Sequence, residues 1–203
     1  MTANYMMLTI AACEASYLQE AFGHAGKFVG ELKEKAGCVG ARYGVVATGS
    51  DAGSFVLFQS YAQLGDIDKA FGVYASSTAY QTVIKSGKIN VTLRNIVKLE
   101  DVQVSKPSTA KPGYGVVTLV TAPTLTSDRL KALVPIYEKN GAMLMRYGTL
   151  ITGSNAGKRL LGVTFPSMDA IEKTYDGLRS SGDYQKLMSD IKLDRREIVR
   201  FAG

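Results

Sequence analysis

Residues 42–53 read Arg-Tyr-Gly-Val-Val-Ala-Thr-Gly-Ser-Asp-Ala-Gly, and residues 146–157 read Arg-Tyr-Gly-Thr-Leu-Ile-Thr-Gly-Ser-Asn-Ala-Gly. The two stretches are 104 residues apart, since 146 − 42 = 104. A repeat of this kind is the first feature to look for in a sequence, because it decides the architecture of the whole chain. The sequence therefore contains two copies of one unit.

The same offset continues beyond the quoted stretches. It aligns Ser76-Ser77 with Ser180-Ser181 and Tyr80-Gln81 with Tyr184-Gln185. Each copy spans about 90 residues, which is the size of a small domain and too long for a solenoid repeat. We therefore predict three segments: a first repeat over residues 1–104, a polar, proline-containing linker over residues 105–112, and a second repeat over residues 113–203.

The 203-residue chain has a formal net charge of +6, but its basic residues are scattered and form no run. Such a pattern indicates a solvated surface more than a nucleic-acid interface. The apolar stretch 5–13 is too short to span a membrane and lacks the flanks of a signal peptide. Cys13 and Cys38 bracket a predicted helix about 30 Å long, so they cannot form a disulfide with each other. Free thiols without an export signal predict a cytoplasmic location.

Hydrophobic periodicity in the first repeat predicts the element order β-α-β-β-α-β, with the second helix divided near Ser76-Ser77. The second repeat predicts the same order. Strands such as 55–58 and 159–163 are apolar on both alternations, which is typical of sheets covered on both faces. Two four-stranded sheets can cover each other if they face inward. We therefore predict an α+β protein whose tandem ferredoxin-like repeats form a pseudo-dimeric, eight-stranded antiparallel α/β barrel.

This β-α-β-β-α-β unit, with a divided second helix ending in Ser-Ser-x-x-Tyr-Gln, resembles the dimeric α/β-barrel superfamily. The superfamily includes antibiotic-biosynthesis-type monooxygenases, stress-responsive A/B-barrel proteins and NIPSNAP-like proteins. The resemblance covers nearly the whole chain and implies that the usual dimer is fused into one polypeptide. It implies a fold more than a function, because members include cofactor-free oxygenases, haem-degrading enzymes, isomerases and cyclases. Haem-handling members typically use a His and some a Trp; this chain has one His and no Trp, so we expect no haem.

Arg42 and Arg146 are the candidate ligand-binding residues, because the duplication places them symmetrically about a pseudo-twofold axis between the repeats. Neighbouring side chains on a strand point to opposite faces, so one member of each Arg-Tyr pair faces the barrel. A barrel-facing Arg would hold a carboxylate or enolate, and a barrel-facing Tyr43 or Tyr147 would be catalytic, donating a hydrogen bond or transferring a proton. In the architectural alternative, the arginines pair with carboxylates at the seam, for example Glu197, and the tyrosines fill the core.

His24 and Tyr61 are the remaining candidate site residues. His24 lies one step off the apolar stripe of the first helix, which predicts an exposed side chain. The alternative is a His that reaches the cavity mouth as a catalytic base. Tyr61 is a candidate ligand contact, expected in the core or at the rim. The loops 49–53 and 153–157 each join two strands, so we predict hairpin turns there and no phosphate site.

Two classes of function fit these predictions. In the first, the protein binds a small apolar or aromatic molecule between the repeats, as a cofactor-independent monooxygenase or isomerase would. In the second, it is a non-catalytic structural or interaction protein with a packed barrel. A cavity of a few hundred Å³ favours the first class, and a packed interior favours the second. We expect no cofactor, metal, membrane or nucleic-acid partner, and a homo-dimer is left open.

Overall fold

The computed structural model describes residues 2–123 and 126–203. The first repeat contains β1 (Tyr5–Cys13), α1 (Leu18–Lys35), β2 (Cys38–Val46), β3 (Phe55–Tyr61), α2 (Leu64–Ser76), α3 (Thr78–Lys85) and β4 (Ile89–Glu100). The second contains β5 (Tyr114–Thr121), α4 (Ser127–Lys139), β6 (Leu144–Leu150), β7 (Arg159–Phe165), α5 (Met168–Arg179), α6 (Gly182–Asp190) and β8 (Lys192–Phe201). Among these helices, none combines the length and apolarity that crossing a bilayer requires.

The strands form one closed antiparallel barrel in the order β1-β3-β2-β8-β5-β7-β6-β4. The first repeat supplies the sheet β4-β1-β3-β2, and the second supplies the sheet β8-β5-β7-β6. The two orders are the same, because β5, β6, β7 and β8 are the equivalents of β1, β2, β3 and β4. The two sheets join at two seams, where β2 pairs with β8 and β4 pairs with β6. The predicted α+β barrel of tandem ferredoxin-like units is therefore confirmed.

Each sheet is apolar on both faces, as the sequence pattern predicts. On β1, Met6, Leu8 and Ile10 belong to the cluster inside the barrel. Met7 and Ala11 alternate with them and belong to the cluster beneath the helices of the first repeat. An equivalent cluster lies beneath the helices of the second repeat. Because the inner face of each sheet is apolar, it can leave water only by packing on the inner face of the other sheet.

Two glycines allow the seams to close. They are Gly44 on β2 and Gly148 on β6, the third residues of the two Arg-Tyr-Gly tripeptides. A Cβ atom on Gly44 would lie 2.1 Å from the carbonyl oxygen of Arg200 on β8. A Cβ atom on Gly148 would lie 2.2 Å from the carbonyl oxygen of Lys98 on β4. Such distances are far inside van der Waals contact, so a side chain here would push the seam strands apart.

The hairpin loops 49–53 and 153–157 lie at one end of the barrel, and the Thr immediately before each loop bonds to a strand of the other repeat. The Ile198 amide donates a hydrogen bond to Thr48 Oγ1 (2.9 Å), and the Ile96 amide donates one to Thr152 Oγ1 (2.8 Å). Both loops are turns between strands, as predicted. The duplicated Thr-Gly-Ser stretch therefore helps to hold the two repeats together.

Replacing Gly44 by Ala should destabilise the protein by about 3 kcal/mol or more, because the new methyl group overlaps backbone atoms that cannot move without separating β2 from β8. Gly40→Ala is the matched control on the same strand, since a Cβ atom there meets no atom within 4 Å. Urea denaturation measures both. Equal stability of the two variants would show that the seam tolerates a side chain.

Candidate functional site

Arg42 and Arg146 both face the inside of the barrel and line one cavity of about 380 Å³ at its other end. Each is half-buried, and each donates a hydrogen bond to the carbonyl of its preceding residue, Ala41 (3.1 Å) or Met145 (3.3 Å). The alternative pairing with Glu197 is wrong. That carboxylate is buried near the hairpin loops, where its partner is Arg195, 3.4 Å away.

Tyr43 points away from the barrel, toward the helices. Its ring lies 6.0 Å from the ring of Phe22 on α1 and 6.4 Å from that of Phe55 on β3, measured between centroids. Tyr147 also points outward, and its hydroxyl shares a short hydrogen bond with the hydroxyl of Thr126 before α4. Burial raises the pKa of Tyr147. The structure therefore separates each Tyr from its neighbouring Arg, and neither Tyr lines the cavity that the arginines line.

Tyr61 lies in the core of the first repeat with no exposed surface. Its hydroxyl donates a hydrogen bond to Gln59 Oε1 (2.5 Å), and Gln59 Nε2 donates to the hydroxyl of Tyr74 on α2. Burial raises the pKa of both tyrosines. Tyr61 lines neither the barrel cavity nor the cleft described below, so its position matches the core expectation.

His24 is half-buried on α1 and lines a small cleft between the helices and the outer face of the first sheet. Its Nε2 atom is 3.9 Å from Glu20 Oε1. Its Nδ1 atom is buried and has no hydrogen-bond partner among the described residues. The expectation of an exposed His is therefore wrong, because His24 lies on the same face of α1 as Ala21, Ala25 and Phe28, which also line the cleft. Sequence periodicity locates the centre of an apolar stripe better than its edges.

The cleft has a volume of about 50 Å³ and apolar walls. Small side chains leave this space: Ala11 on β1, Ala21 and Ala25 on α1, and Ala79 on α3 all line it. Aromatic rings from both layers complete the walls (Phe28, Phe55, Tyr74 and Tyr80). The polar side chains that reach it include His24, Arg94 and Thr9. A pocket with mostly apolar walls and a few convergent polar groups is typical of small-molecule sites.

Arg94 on β4 is the polar residue of the cleft that sequence reasoning missed. Its Nε donates to Thr9 Oγ1 (3.3 Å), and its Nη2 donates to the hydroxyl of Tyr80 (3.3 Å). Its guanidinium carbon lies 4.3 Å from the centre of the Tyr74 ring, in a cation–π contact. The polar and aromatic partners hold the guanidinium in one orientation at the sheet surface.

The second repeat contains the same arrangement around Arg196. Its Nε donates to Thr118 Oγ1 (3.3 Å), its Nη2 donates to the Tyr184 hydroxyl (3.3 Å), and its guanidinium lies over the Tyr175 ring at 4.6 Å. A signal was present in the sequence. Tyr80 and Tyr184 are equivalent in the repeat, and extending the alignment of the last strands by one residue pairs Arg94 with Arg196.

The two repeats differ in the walls around this shared arginine. Strand pairing makes Val120 the equivalent of Ala11, since Ala11 lies opposite Phe55 and Val120 opposite Arg159. The second repeat therefore has the larger Val120 in place of Ala11 and the charged Arg159 in place of Phe55. These substitutions make the first-repeat cleft the apolar site of the pair.

The cleft does not fit a haem, which the superfamily resemblance raises as a possibility. A porphyrin macrocycle needs several hundred Å³, whereas the cleft that His24 lines holds about 50 Å³. Among residues 2–123 and 126–203, no group of three or more His, Cys, Asp and Glu side chains is arranged to hold a metal ion.

A family model described as "Domain of unknown function (DUF6854)" matches residues 3–99 and again residues 112–201. The chain belongs to this family. The one model matches both copies of the repeat, which together make up most of the chain. No functionally curated protein matches the sequence.

Solved structures similar to this chain share its fold at very low sequence identity. A "putative monooxygenase" from Fusobacterium nucleatum has a TM-score of 0.66 and 13% identity, over 100% of this chain and 94% of its own. A "putative monooxygenase" from Lactobacillus acidophilus has a TM-score of 0.64 and 10% identity, over 99% and 94%. A chlorite dismutase variant from Candidatus Nitrospira defluvii has a TM-score of 0.63 and 6% identity, over 100% and 93%. At these identities, the likeness shows the fold alone.

Buried tyrosines predict a loss of stability in alkali. Burial raises the pKa of Tyr61, so the unfolded chain loses this proton near pH 10 while the folded protein keeps it. The stabilisation is therefore complete below about pH 10 and is lost above it, by about 1.4 kcal/mol per pH unit for each such Tyr. Tyr61→Phe should reduce that slope between about pH 10 and 11.5 by this amount, as measured by urea denaturation.

Tyr5→Phe is the control, because this half-buried Tyr at the start of β1 lies outside the Gln59 network. Removing the Tyr61 hydroxyl also removes the hydrogen bond to Gln59 and so lowers the free energy of unfolding at every pH. The test is therefore the slope of that free energy against pH, not its value at one pH. An unchanged slope would mean that Tyr61 ionises in the folded protein.

Proposed function

We propose that this protein binds a small aromatic molecule with an acidic hydroxyl in the first-repeat cleft and removes a proton from it. Two observations support this proposal: the Nδ1 atom of His24 is buried and has no partner among the described residues, and His24 lines an apolar cleft together with Arg94. A buried polar atom without a partner is costly, and a ligand that bonds to it removes that cost.

The walls of the cleft favour a single aromatic ring, since four aromatic side chains line it. Its volume of about 50 Å³ is smaller than the roughly 150 Å³ of an apolar cavity that binds benzene, so the proposal requires the wall side chains to move apart when a phenol enters. Aromatic pairs gain stabilisation beyond the area that they bury when their rings meet edge-to-face or offset. A phenol or hydroquinone would place its ring among these side chains and its hydroxyl near the polar groups.

His24 and Arg94 supply the chemistry in this proposal. The O–H bond of the substrate breaks, its proton moves to Nδ1 of His24, and the resulting oxyanion is stabilised by the positive charge of Arg94. Thr9 and Tyr80 hold the guanidinium in place, 3.3 Å from its nitrogen atoms. A positioned charge of this kind stabilises the anion without having to reorganise during the reaction.

The proposed anion can react in two ways. With O₂, a phenolate becomes a quinone: one oxygen atom enters the ring as a carbonyl, the other leaves as water, and the substrate supplies all four electrons. Without O₂, the proton returns to a different atom and the product is an isomer. Oxygenation is the first of the two reactions to test, because two proteins of the same fold are described as putative monooxygenases.

The roles predicted for Tyr43 and Tyr147 are not part of this proposal, since neither lines the cleft. The non-catalytic alternative keeps one supporting observation, which is that the middle of the barrel is packed with buried apolar side chains. The cleft lies outside the barrel, so a packed interior does not argue against chemistry there.

Ala11→Val should weaken the binding of phenol and hydroquinone at least about tenfold, because it introduces the larger side chain that the second repeat has at this position. Isothermal titration calorimetry measures the effect. Val120→Ala is the matched control in the other repeat and should leave the affinity unchanged. Equal binding by wild type and Ala11→Val would place the ligand elsewhere.

His24→Gln should keep the affinity for the substrate within about threefold while lowering the rate of O₂ uptake or isomerisation by about 10²-fold or more. The Gln side chain still forms hydrogen bonds but cannot accept the proton. An oxygen electrode and ¹H exchange at the ring carbons follow the two reactions. Undiminished turnover in this variant would show that His24 is not the base.

A further inference from the structure

The barrel cavity that contains Arg42 and Arg146 is a second site, separate from the first-repeat cleft. It opens at the end of the barrel where β2 and β6 begin, opposite the hairpin loops. Its volume of about 380 Å³ is within the range of sites for small organic ligands. Ser108 and Thr109 of the linker contribute to its rim.

Positive charge in this cavity is not neutralised. Its lining includes Arg42, Arg146 and, at the rim, the exposed Lys33, but no Asp or Glu. Among residues 2–123 and 126–203, no carboxylate lies within 4.0 Å of either guanidinium. Buried or partly buried charges in proteins are normally paired, so two unpaired arginines at one cavity need an explanation.

The hydrogen bonds of the two arginines are also incomplete. A guanidinium has five N–H donors, and each of these side chains donates one hydrogen bond to a described residue, the carbonyl of its own neighbour. The Nε atom of Arg146 is buried and has no partner in the part of the chain that the structure describes. Burial also lowers the pKa of Arg146, since desolvation disfavours its charged form. The free donors are those that an Arg uses to bind a carboxylate in the two-bond geometry.

The rest of the cavity wall is apolar. Met6, Phe58, Val117 and Phe201 line it, and the Phe58 and Phe201 rings lie 6.1 Å apart, edge to face. Glycines keep the space open. For example, a Cβ atom on Gly162, which lines the cavity, would meet no atom within 4 Å and would take up part of the open space. The cavity thus combines guanidinium donors with an apolar wall that includes two phenyl rings.

We propose that this cavity binds a small organic carboxylate with an apolar or aromatic body, with the carboxylate on Arg42 and Arg146 and the body against Phe58 and Phe201. Unlike the first-repeat cleft, this site requires both repeats, because each contributes one arginine. It therefore exists only when the barrel is closed, and its occupation stabilises the closed form.

Benzoate is the probe, with benzamide as its neutral analogue and sulfate as an anion without an apolar body. Calorimetric titration of the wild-type protein should show benzoate binding. Benzamide and sulfate should bind at least about tenfold more weakly, since benzamide lacks the negative charge and sulfate lacks the apolar body. No benzoate binding, or equal binding of benzamide or sulfate, would overturn the proposal.

Charge-removal variants test the two arginines. Arg42→Gln and Arg146→Gln should each weaken benzoate binding about tenfold, and the double variant should abolish it. The matched control is Lys98→Gln with Arg200→Gln, which removes two exposed charges from equivalent positions outside the barrel. Benzoate affinity that survives in the double Arg variant, or falls equally in the control, would contradict the assignment.

Two further measurements distinguish loss of benzoate binding in the cavity from unfolding of the protein and from effects at the first-repeat cleft. The thermal midpoint of the double Gln variant should not fall, because neither Arg has a carboxylate partner to lose, and Arg42→Lys with Arg146→Lys should retain weak binding. Ala11→Val should bind benzoate like the wild type, since the cleft is a different site. Failure of phenol binding at the cleft therefore leaves this proposal standing, and the reverse also holds.

Discussion

The two seams at which β2 meets β8 and β4 meets β6 are the constraint on which the rest of the structure depends. Each half of the chain builds a four-stranded sheet that is apolar on both faces, and helices cover only one of them. The inner faces leave water only when the seams close. Gly44 and Gly148 make that closure possible, because any side chain at either position would overlap the backbone of the adjoining strand. Threonines of the hairpin loops add hydrogen bonds from each repeat to the other.

Closure by two similar repeats produces symmetric sites that need not have the same contents. Arg94 and Arg196 have matching Thr, Tyr and aromatic partners, with distances that agree closely. Around this shared core the walls differ, since Ala11 has Val120 as its equivalent. The chemistry that we propose depends on this difference: an arginine is held in the same way in both halves, and the first half places an apolar cleft with a His beside it.

The interior of the barrel is neither solid nor hollow along its whole length. Its middle is packed by buried apolar side chains, and one end contains the cavity with Arg42 and Arg146. An architectural reading of the arginines requires a carboxylate partner, which neither has among the described residues. The packed apolar core and the proposed ligand site therefore lie at different positions along the barrel axis. The Arg-Tyr-Gly tripeptide serves both, since its Arg lines the cavity and its Gly closes the seam.

By itself, the sequence determined the duplication, the β-α-β-β-α-β order and the barrel, because a 104-residue offset and strands apolar on both faces are readable without coordinates. It also restricted each Arg-Tyr pair to opposite faces. Only the tertiary structure decided which member faces inward, because strand alternation fixes relative and not absolute direction. The turning of His24 toward the sheet and the meeting of Arg94 with Thr9 and Tyr80 likewise depend on packing between elements distant in the chain, on which local sequence pattern carries no information.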